Sequence, residues 1–599
     1  MRTILRLSVW TSLLGAVALT THCSSSDAPP FDLGQDAAGP DGPPADAASP
    51  ESPGSAGCPK HCSDDLSLVL DCRDAVVETC TGATGCGDGR CLPGCESSAW
   101  NRSNVGCEFI VPRSPESTPN SCHAVIITNN WRTPATLKVS YDGETFSLAG
   151  HAIRASDEVP IESNTVPPGE TIIVGLAGSS CKGTVLIPEP NAVHVVGLSE
   201  SGRTTAFAIE SDVPVQIRTS ESLLNEAVLL GATTMWDHDY VVAMPAPVRD
   251  IVWPGGFVQI VGREDSIVEL RPRQPILGAP DLPGIAANGA RSYKLRRGEV
   301  LQFVQDDDLT GSSIHANKPV GVFAGAVNFS VDGPDRCCDF TRGSSAHVQL
   351  SPPRSLGDRY AAVRYRDRYE GVVEEGVWRI IGAANGTVLT YEPAAPKGAP
   401  TKLAAGEFAE FRTTEPFIVS SQDADHPFAL YAYMSAAIKY LPDPPQDMFA
   451  GDLRGGAEFT PMIPVIQYMR RYRFYTDSFF PETNVVVVRR RGSAGFADVF
   501  LDCAGSLSGW APIGTTGELE FTRVDLSKGN YEAQGHCQNG AHEMHSDAPF
   551  TATVWGWGSM ATGGYAGAPG IFTCSASYAF PIGAGFRPIE TNQLPGGIH

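Results

Sequence analysis

Alternation of apolar and polar positions is the leading pattern between about residues 105 and 560. Residues 298–303 read Gly-Glu-Val-Leu-Gln-Phe and residues 406–411 read Gly-Glu-Phe-Ala-Glu-Phe, in each case a turn glycine followed by the period-two signature of a half-buried strand. Upstream, residues 124–141, 257–272, 377–393 and 485–501 predict hairpins. The third turns through Asn385-Gly386, where both positions tolerate the positive φ of a type I′ turn. Each hairpin is preceded by a strand bearing Tyr or Phe, at 107–112, 240–245, 360–365 and 472–476.

The pattern repeats. A polar or small residue, then proline, then an alternating run recurs as Ser211-Asp212-Val213-Pro214-Val215, Ala316-Asn317-Lys318-Pro319-Val320, Asp425-His426-Pro427-Phe428 and Ser546-Asp547-Ala548-Pro549-Phe550. In the last three copies a turn glycine (Gly298, Gly406, Gly529) lies upstream at nearly constant distance, whereas Gly169-Glu170 lies farther from Pro214 and implies an insertion in the first. Four β-rich repeats follow, at about 105–225, 236–330, 355–437 and 465–560. Because proline has no N–H, each motif is expected where the chain enters the last strand of its repeat. The repeats are longer than the ~40–50 residues of a propeller blade, so the expected fold class is all-β, built of tandem β-sandwich modules packed in pairs, with a β-propeller-like arrangement as the alternative.

These residues resemble a known family. Ser211-Asp212-Val213-Pro214-Val215, Gly298-Glu299-Val300-Leu301-Gln302, Asp308-Leu309-Thr310-Gly311-Ser312, Asn317-Lys318-Pro319-Val320-Gly321-Val322-Phe323 and Trp378-Arg379-Ile380-Ile381 are similar to stretches of bacterial proteins carrying the domain named after the N-terminal region of IgGFc-binding protein. The resemblance runs from about Gly106 to Ala566. It implies a non-catalytic, extracellular binding or adhesion role, often on lipid-anchored proteins, and does not imply immunoglobulin as the ligand.

The N-terminus supplies an address. Arg2 and Arg6 precede a short apolar run, residues 7–19, which suits a signal peptide over residues 1–22. Cys23 with the serines after it resembles a bacterial lipoprotein signal, although His22 and Thr20 depart from that pattern; it implies lipidation of Cys23 and attachment to the outer membrane by lipid alone. Residues 23–56, rich in Pro, Ala, Asp, Gly and Ser, are expected to form a disordered tether. Seven cysteines then crowd residues 57–104: Cys58, Cys62, Cys72, Cys80, Cys86, Cys91 and Cys95. Their spacing lacks the paired CxxC of zinc sites, so in an exported chain they read as a disulfide module. Seven is odd, and Cys107 is the nearest partner outside the segment. Cys122 with Cys181, and Cys503 with Cys537, are expected as staples within repeats, and adjacent Cys337 and Cys338 as partners of different cysteines. Residues 105–566 are the resembling β domain, and residues 567–599 read as a C-terminal tail.

Composition sharpens this picture. The chain of 599 residues carries 62 Gly and 47 Pro, favouring many turns and short elements, and a net charge of −23 argues against nucleic acid as a partner. Candidate chemistry is sparse. His542-Glu543-Met544-His545 has the wrong spacing for a metalloprotease helix and is expected in a loop with His536 nearby. Asp306-Asp307-Asp308 lacks the alternation of a calcium loop and reads as a solvated hairpin tip. Arg489-Arg490-Arg491 and Arg470-Arg471 read as solvated strand ends or turns, and Tyr431 to Tyr433 and Trp555 to Trp557 as core. No cofactor, metal ligand or catalytic residue is assigned. The expected function is non-enzymatic binding or adhesion at the cell surface toward an extracellular protein or glycan; the alternative is a secreted carbohydrate-active hydrolase on a β scaffold.

Overall fold

A computed structural model of the chain describes residues 58–586, apart from residue 64 and segments 116–121, 179–197, 222–225, 249–254, 332–343, 441–451 and 560–575. The expected signal peptide and tether, with Cys23, Cys181, Cys337 and Cys338, lie outside the described residues. What is described is all-β with one short α-helix, Gly94–Asn101. The N-terminal module joins a three-stranded sheet to the Thr84–Gly87 and Arg90–Pro93 hairpin, stapled by Cys58–Cys72, Cys62–Cys86 and Cys80–Cys91. Cys95–Cys107 bolts it to the first β unit.

Four units of one plan follow. In the second, an outer strand (Asp237–Val241), a hairpin (Gly256–Gly262 and Ser266–Arg271) and a return strand (Glu299–Gln305) surround one long strand, Ser313–Phe329. The long strands of units one and four are Phe207–Glu221 and Ala541–Trp557. In unit three it is broken into Phe417–Ser420 and Phe428–Met434. Gly202–Thr205, expected in unit one, pairs instead with Glu299–Gln305 of unit two.

The proline motif does not mark entry into a last strand. In units one, two and four it lies in the middle of the long strand, where pairing passes from one arm of the hairpin to the other: Phe207 to Ser211 pair with Ala135–Tyr141, and Gln216 to Glu221 with His123–Thr128. Pairing to the outer strand is also irregular here, between Glu210 and Val215 in unit one and between His545 and Phe550 in unit four. A bulged corner leaves one backbone position without a ladder bond, so the missing N–H costs nothing there. The polar residue two before proline completes the corner: Asp212 accepts from the Thr136 amide (2.6 Å) and Asn317 from the Ile267 amide (2.8 Å).

An aromatic residue on the outer strand locks that corner. The Tyr240 hydroxyl accepts from the Asp237 amide and donates to the carbonyl of Val320, the residue after Pro319. Tyr360 does the same between Gly357 and Phe428, and Tyr472 between Met469 and Phe550. In unit one the equivalent residue is Phe109, by register with Ile209. Tyr240→Phe is therefore expected to cost about 1–3 kcal/mol, because a buried amide and carbonyl lose their partner. Pro319→Ala is expected to cost about 1 kcal/mol or less, through unfolded-chain entropy. Urea unfolding of both variants ranks them, and the reverse order would refute this account of the corner.

The turn glycine of unit four is also corrected. Gly529 lies after the return strand Leu519–Lys528; Gly517, before it, matches Gly169, Gly298 and Gly406 in preceding a Glu and a return strand, and all four have φ between 66° and 77°. Residues without a side chain reach that left-handed region freely, which is why glycine recurs.

The units close a ring. Unit one shares a core with Trp236, Val261, Val300 and Phe323 of unit two, and unit two with Val377, Tyr431 and Phe459 of unit three. Unit three shares one with Val486, Trp555 and Trp557 of unit four. Tyr475 of unit four returns to Ala124, Ile126 and Ile173 of unit one. The inner strands Glu226–Leu229, Ser344–Gln349, Glu458–Pro461 and Ser577–Pro581 touch in the same cyclic order around the axis. The arrangement is thus cyclic, with cores shared at every junction, rather than a linear array. The last inner strand comes from the segment read as a tail: Ser577–Pro581 pairs with Thr553 to Trp557, because an apolar run with every residue buried belongs in a sheet.

Candidate functional site

Three concave regions stand out among the described residues. The axial cavity is small, about 50 Å³, and mainly apolar, lined by residues of all four inner strands. A cleft of about 530 Å³ lies between units one and two, but Lys138 pairs with Glu210 (3.1 Å) and Arg203 with Glu299 (2.8 Å), so much of its charge is neutralised locally. The third, about 490 Å³, lies at the seam where unit four meets unit one, with the cysteine-rich module as its third wall. Among the described residues, this is where Asp65 and Leu66 of that module adjoin both closing units.

Its unit-one wall is built by the first hairpin. Asn129 donates to the Thr133 and Val166 carbonyls and accepts from the Trp131 amide, fixing the turn that presents Asn130, Trp131 and Arg132. The Trp131 ring packs so closely on Gly85 and Gly94 of the cysteine-rich module that a Cβ at Gly85 would lie 2.5 Å from it. Arg132 stacks on Trp131 at 4.8 Å and donates to the Thr84 carbonyl (2.7 Å). The unit-four wall is the outer strand Met469–Tyr475. Its period of two turns Tyr472 into the core and sets Arg471 and Arg473 together, both gripping Glu543 on the long strand (2.9 and 2.8 Å).

Three guanidinium groups thus line the cleft with one carboxylate, Asp65. Burial by itself would raise the Asp65 pKa, but hydrogen bonds from Ser67 and Ser63 and the Arg471 charge hold it below its ordinary value. Asn130 Oδ1, an acceptor, and Trp131 Nε1, a donor, are buried behind the lining with no protein partner among the described residues. The Arg470-Arg471 pair, read as a solvated strand end, therefore contributes Arg471 to a cleft. Arg471-x-Arg473 at strand period was the one signal in the sequence pointing to it.

The other singled-out residues serve the fold. Cys503 and Cys537 are bridged, and Cys122 is disulfide-bonded, its expected partner Cys181 lying outside the described residues. His542 and His545 lie on the long strand Ala541–Trp557, not in a loop, since alternate residues there face the sheet interior. His542 is buried between Asp502 (3.0 Å) and the Gln538 carbonyl (2.8 Å), and His545 stacks on Phe500. Asp502, Cys503 and His542 present ligand atoms within 4.8 Å of one another, but the Cys503 sulfur is held in its disulfide. Asp308 is no solvated tip: it pairs with buried Arg379. Arg489 pairs with Glu520 and lies 3.9 Å over Trp510. Tyr431, Tyr433, Trp555 and Trp557 are buried.

The clamp on His542 gives a pH signature. Burial opposes it, yet the hydrogen bond and charge of His542 hold the Asp502 carboxyl below its usual value of 3.8. A depressed folded-state pKa contributes stability above the unfolded value and loses it as pH falls through the folded one. The stability gap between wild type and Asp502→Asn is expected to be full at neutral pH and to shrink below about pH 4. Urea midpoints across pH measure it, and a gap that widens on acidification would contradict the clamp.

A family model described as IgGFc binding protein matches residues 226–556. That span opens on the inner strand of unit one and closes one residue before the end of the long strand of unit four, so it takes in all of units two and three. Among curated proteins, none matches the chain.

Proposed function

We propose, from the premise that the chain belongs to the IgGFc binding protein family, that it is a non-enzymatic surface protein holding its β ring out to an extracellular protein or glycan, anchored by a lipid on Cys23 and the tether that follows. The observation that carries this reading is the family match over more than half the chain. The disulfides support it, since such bonds persist in oxidising, exported settings. So does the use of buried charge. Arg366 with Glu482 and Asp525, and Arg379 with Asp308 and Glu410, join neighbouring units, which is a structural rather than a catalytic use of ionisable groups. No described helix is long and apolar enough to cross a membrane.

The domain limits proposed are residues 1–22, 23–56, 57–104 and 105–566, with the ring drawing on Ser577–Pro581 beyond them. Because neighbouring units share cores, deleting them singly would unfold their neighbours and cannot score binding in steps. The test is instead to probe protein and glycan arrays with the full-length chain and, in parallel, to determine the mature N-terminus by mass spectrometry. Retention of a defined ligand and a lipidated Cys23 are expected. An array without retained ligands, or turnover of a retained glycan, would overturn the binding reading; an unmodified N-terminus elsewhere would overturn the anchor.

A further inference from the structure

Asp502, Cys503 and His542 bring a carboxylate oxygen, a sulfur and a ring nitrogen within 4.8 Å of one another, and the disulfide adds a fourth donor, the Cys537 sulfur. Two sulfurs, one nitrogen and one oxygen make a donor set that suits tetrahedral zinc. In the oxidised chain the sulfurs hold each other, so a metal finds no thiolate. The backbone that carries these donors is tied down by bonds other than the disulfide. The Asp502 amide donates to the Glu543 carbonyl (3.0 Å), fixing its turn to the long strand of unit four, and Asp502 Oδ1 accepts from the Cys503 amide (2.9 Å). Gln534 and Cys537 exchange backbone hydrogen bonds (2.9 and 3.0 Å), and His542 lies on the long strand itself.

The imidazole is already oriented for a metal. His542 Nε2 faces the Gln538 carbonyl at 2.8 Å. A carbonyl only accepts, so Nε2 keeps its proton and Nδ1 is the nitrogen turned to Asp502, 3.0 Å away. Metal-binding histidines are held in this way, one nitrogen fixed by a backbone carbonyl and the other presented to the ion. Two ligands about 2.0 Å from a tetrahedral zinc lie ~3.3 Å apart, close to the spacing already present between Nδ1 and Asp502. Once unbonded, the sulfurs need to part only to about 3.8 Å, within reach of side-chain rotation. We propose that reduction of Cys503–Cys537 turns this staple into a zinc site, with Cys503, Cys537, His542 and Asp502 as ligands, so that the same loops stay cross-linked by metal. An external dithiol supplies two electrons and two protons; the S–S bond breaks to two thiols, and the dithiol leaves as its own disulfide. Zn²⁺ then takes both sulfurs as thiolates, and their protons, with the one between Nδ1 and Asp502, pass to solvent. Asp502 is exposed and Cys503 half-buried, which gives reductant and metal a way in. The site is independent of the ligand reading, and its failure would leave that reading untouched.

The experiment reduces the full-length chain with dithiothreitol, removes the reductant, and follows alkylation of Cys503 and Cys537 by iodoacetamide with zinc, with calcium or with EDTA. Mass spectrometry of the digest reads each cysteine separately. Zinc is expected to slow alkylation of Cys503 by about tenfold, because a metal-bound thiolate is withdrawn from attack. Calcium, which takes oxygen ligands, should not. The protection should vanish in His542→Gln and need about tenfold more zinc in Asp502→Asn. Thermal melts of the oxidised variants confirm folding, and Asp502→Asn carries the test if His542→Gln melts early. Equal alkylation of Cys503 with zinc and with EDTA, equal protection by calcium, or protection that either folded variant leaves unchanged would each overturn the proposal.

Discussion

Arg379→Ala is expected to destabilise the protein by about 3–5 kcal/mol, the cost of removing one partner from a buried charge network. Arg379 sits on the Gly376–Gly382 strand of unit three, yet its partners lie on both sides of a junction. It pairs with Asp308 of unit two and Glu410 of unit three, both at 2.9 Å, and donates to the Thr310 hydroxyl at 2.7 Å and to the Met244 carbonyl. Its side chain is 2% exposed, so water cannot take over when it is removed. Burial alone would lower its pKa, but Tyr433, Asp308 and Glu410 hold it above the ordinary value, and the charge is kept. Arg379→Met separates the terms: its stem still packs on Phe408, where the guanidinium now lies 4.7 Å from the ring centre, while the charge is gone. The urea midpoint at unchanged slope measures both variants. A loss below about 1 kcal/mol in Arg379→Ala would show that the network does not join the units.

Phe580→Ala is expected to cost a comparable ~3–5 kcal/mol, as for other buried aromatic truncations. Phe580 lies on the last inner strand, opposite Val554, and is 1% exposed. Across the seam the Arg218 guanidinium of unit one lies 5.0 Å over its ring. The Gln216 side chain donates to the Ile582 carbonyl (3.3 Å), and the Asn104 amide to the Ala584 carbonyl (3.1 Å). Asp477 is buried nearby. Burial raises its pKa and lowers that of Arg218, each partly offset by the other's charge. Removing residues 567–599 should therefore open the ring, not trim a tail. Limited trypsin digestion reads this: Arg218, 3% exposed in the closed ring, should become a cleavage site in the truncated chain. Resistance equal to the intact protein would show that the seam is not closed by this strand.

Much of the architecture was legible in the sequence because it is local. Alternation at residues 298–303 and 406–411 identifies strands, since period two is imposed by the pleat whatever the strand later packs against. Asp212-Val213-Pro214 and Asn317-Lys318-Pro319 reveal the repeat, and the crowd of cysteines without paired CxxC spacing points to a stapled module. Gly517-Glu518 matches Gly298-Glu299 in the sequence as well, but an insertion after the strand puts Gly529 at the expected distance instead.

Other features were decided only in three dimensions. Proline reports a missing N–H and no more; whether that position is a strand's first residue or a bulge within a long strand depends on which hairpin arm each half pairs with. Ring closure depends on Ser577–Pro581 meeting Glu226–Leu229 across hundreds of residues, and a strand buried on both faces has no alternation to reveal its partner. The seam cleft is the extreme case. Asn130, Trp131 and Arg132, Arg471 and Arg473, and Asp65 come from three separate stretches, each unremarkable by itself. The strands, the fourfold repeat and the stapled module follow from residue pattern and cysteine spacing, because short-range backbone chemistry specifies those. The ring and the seam cleft follow from neither, because both arise from surfaces that meet only after every unit has folded.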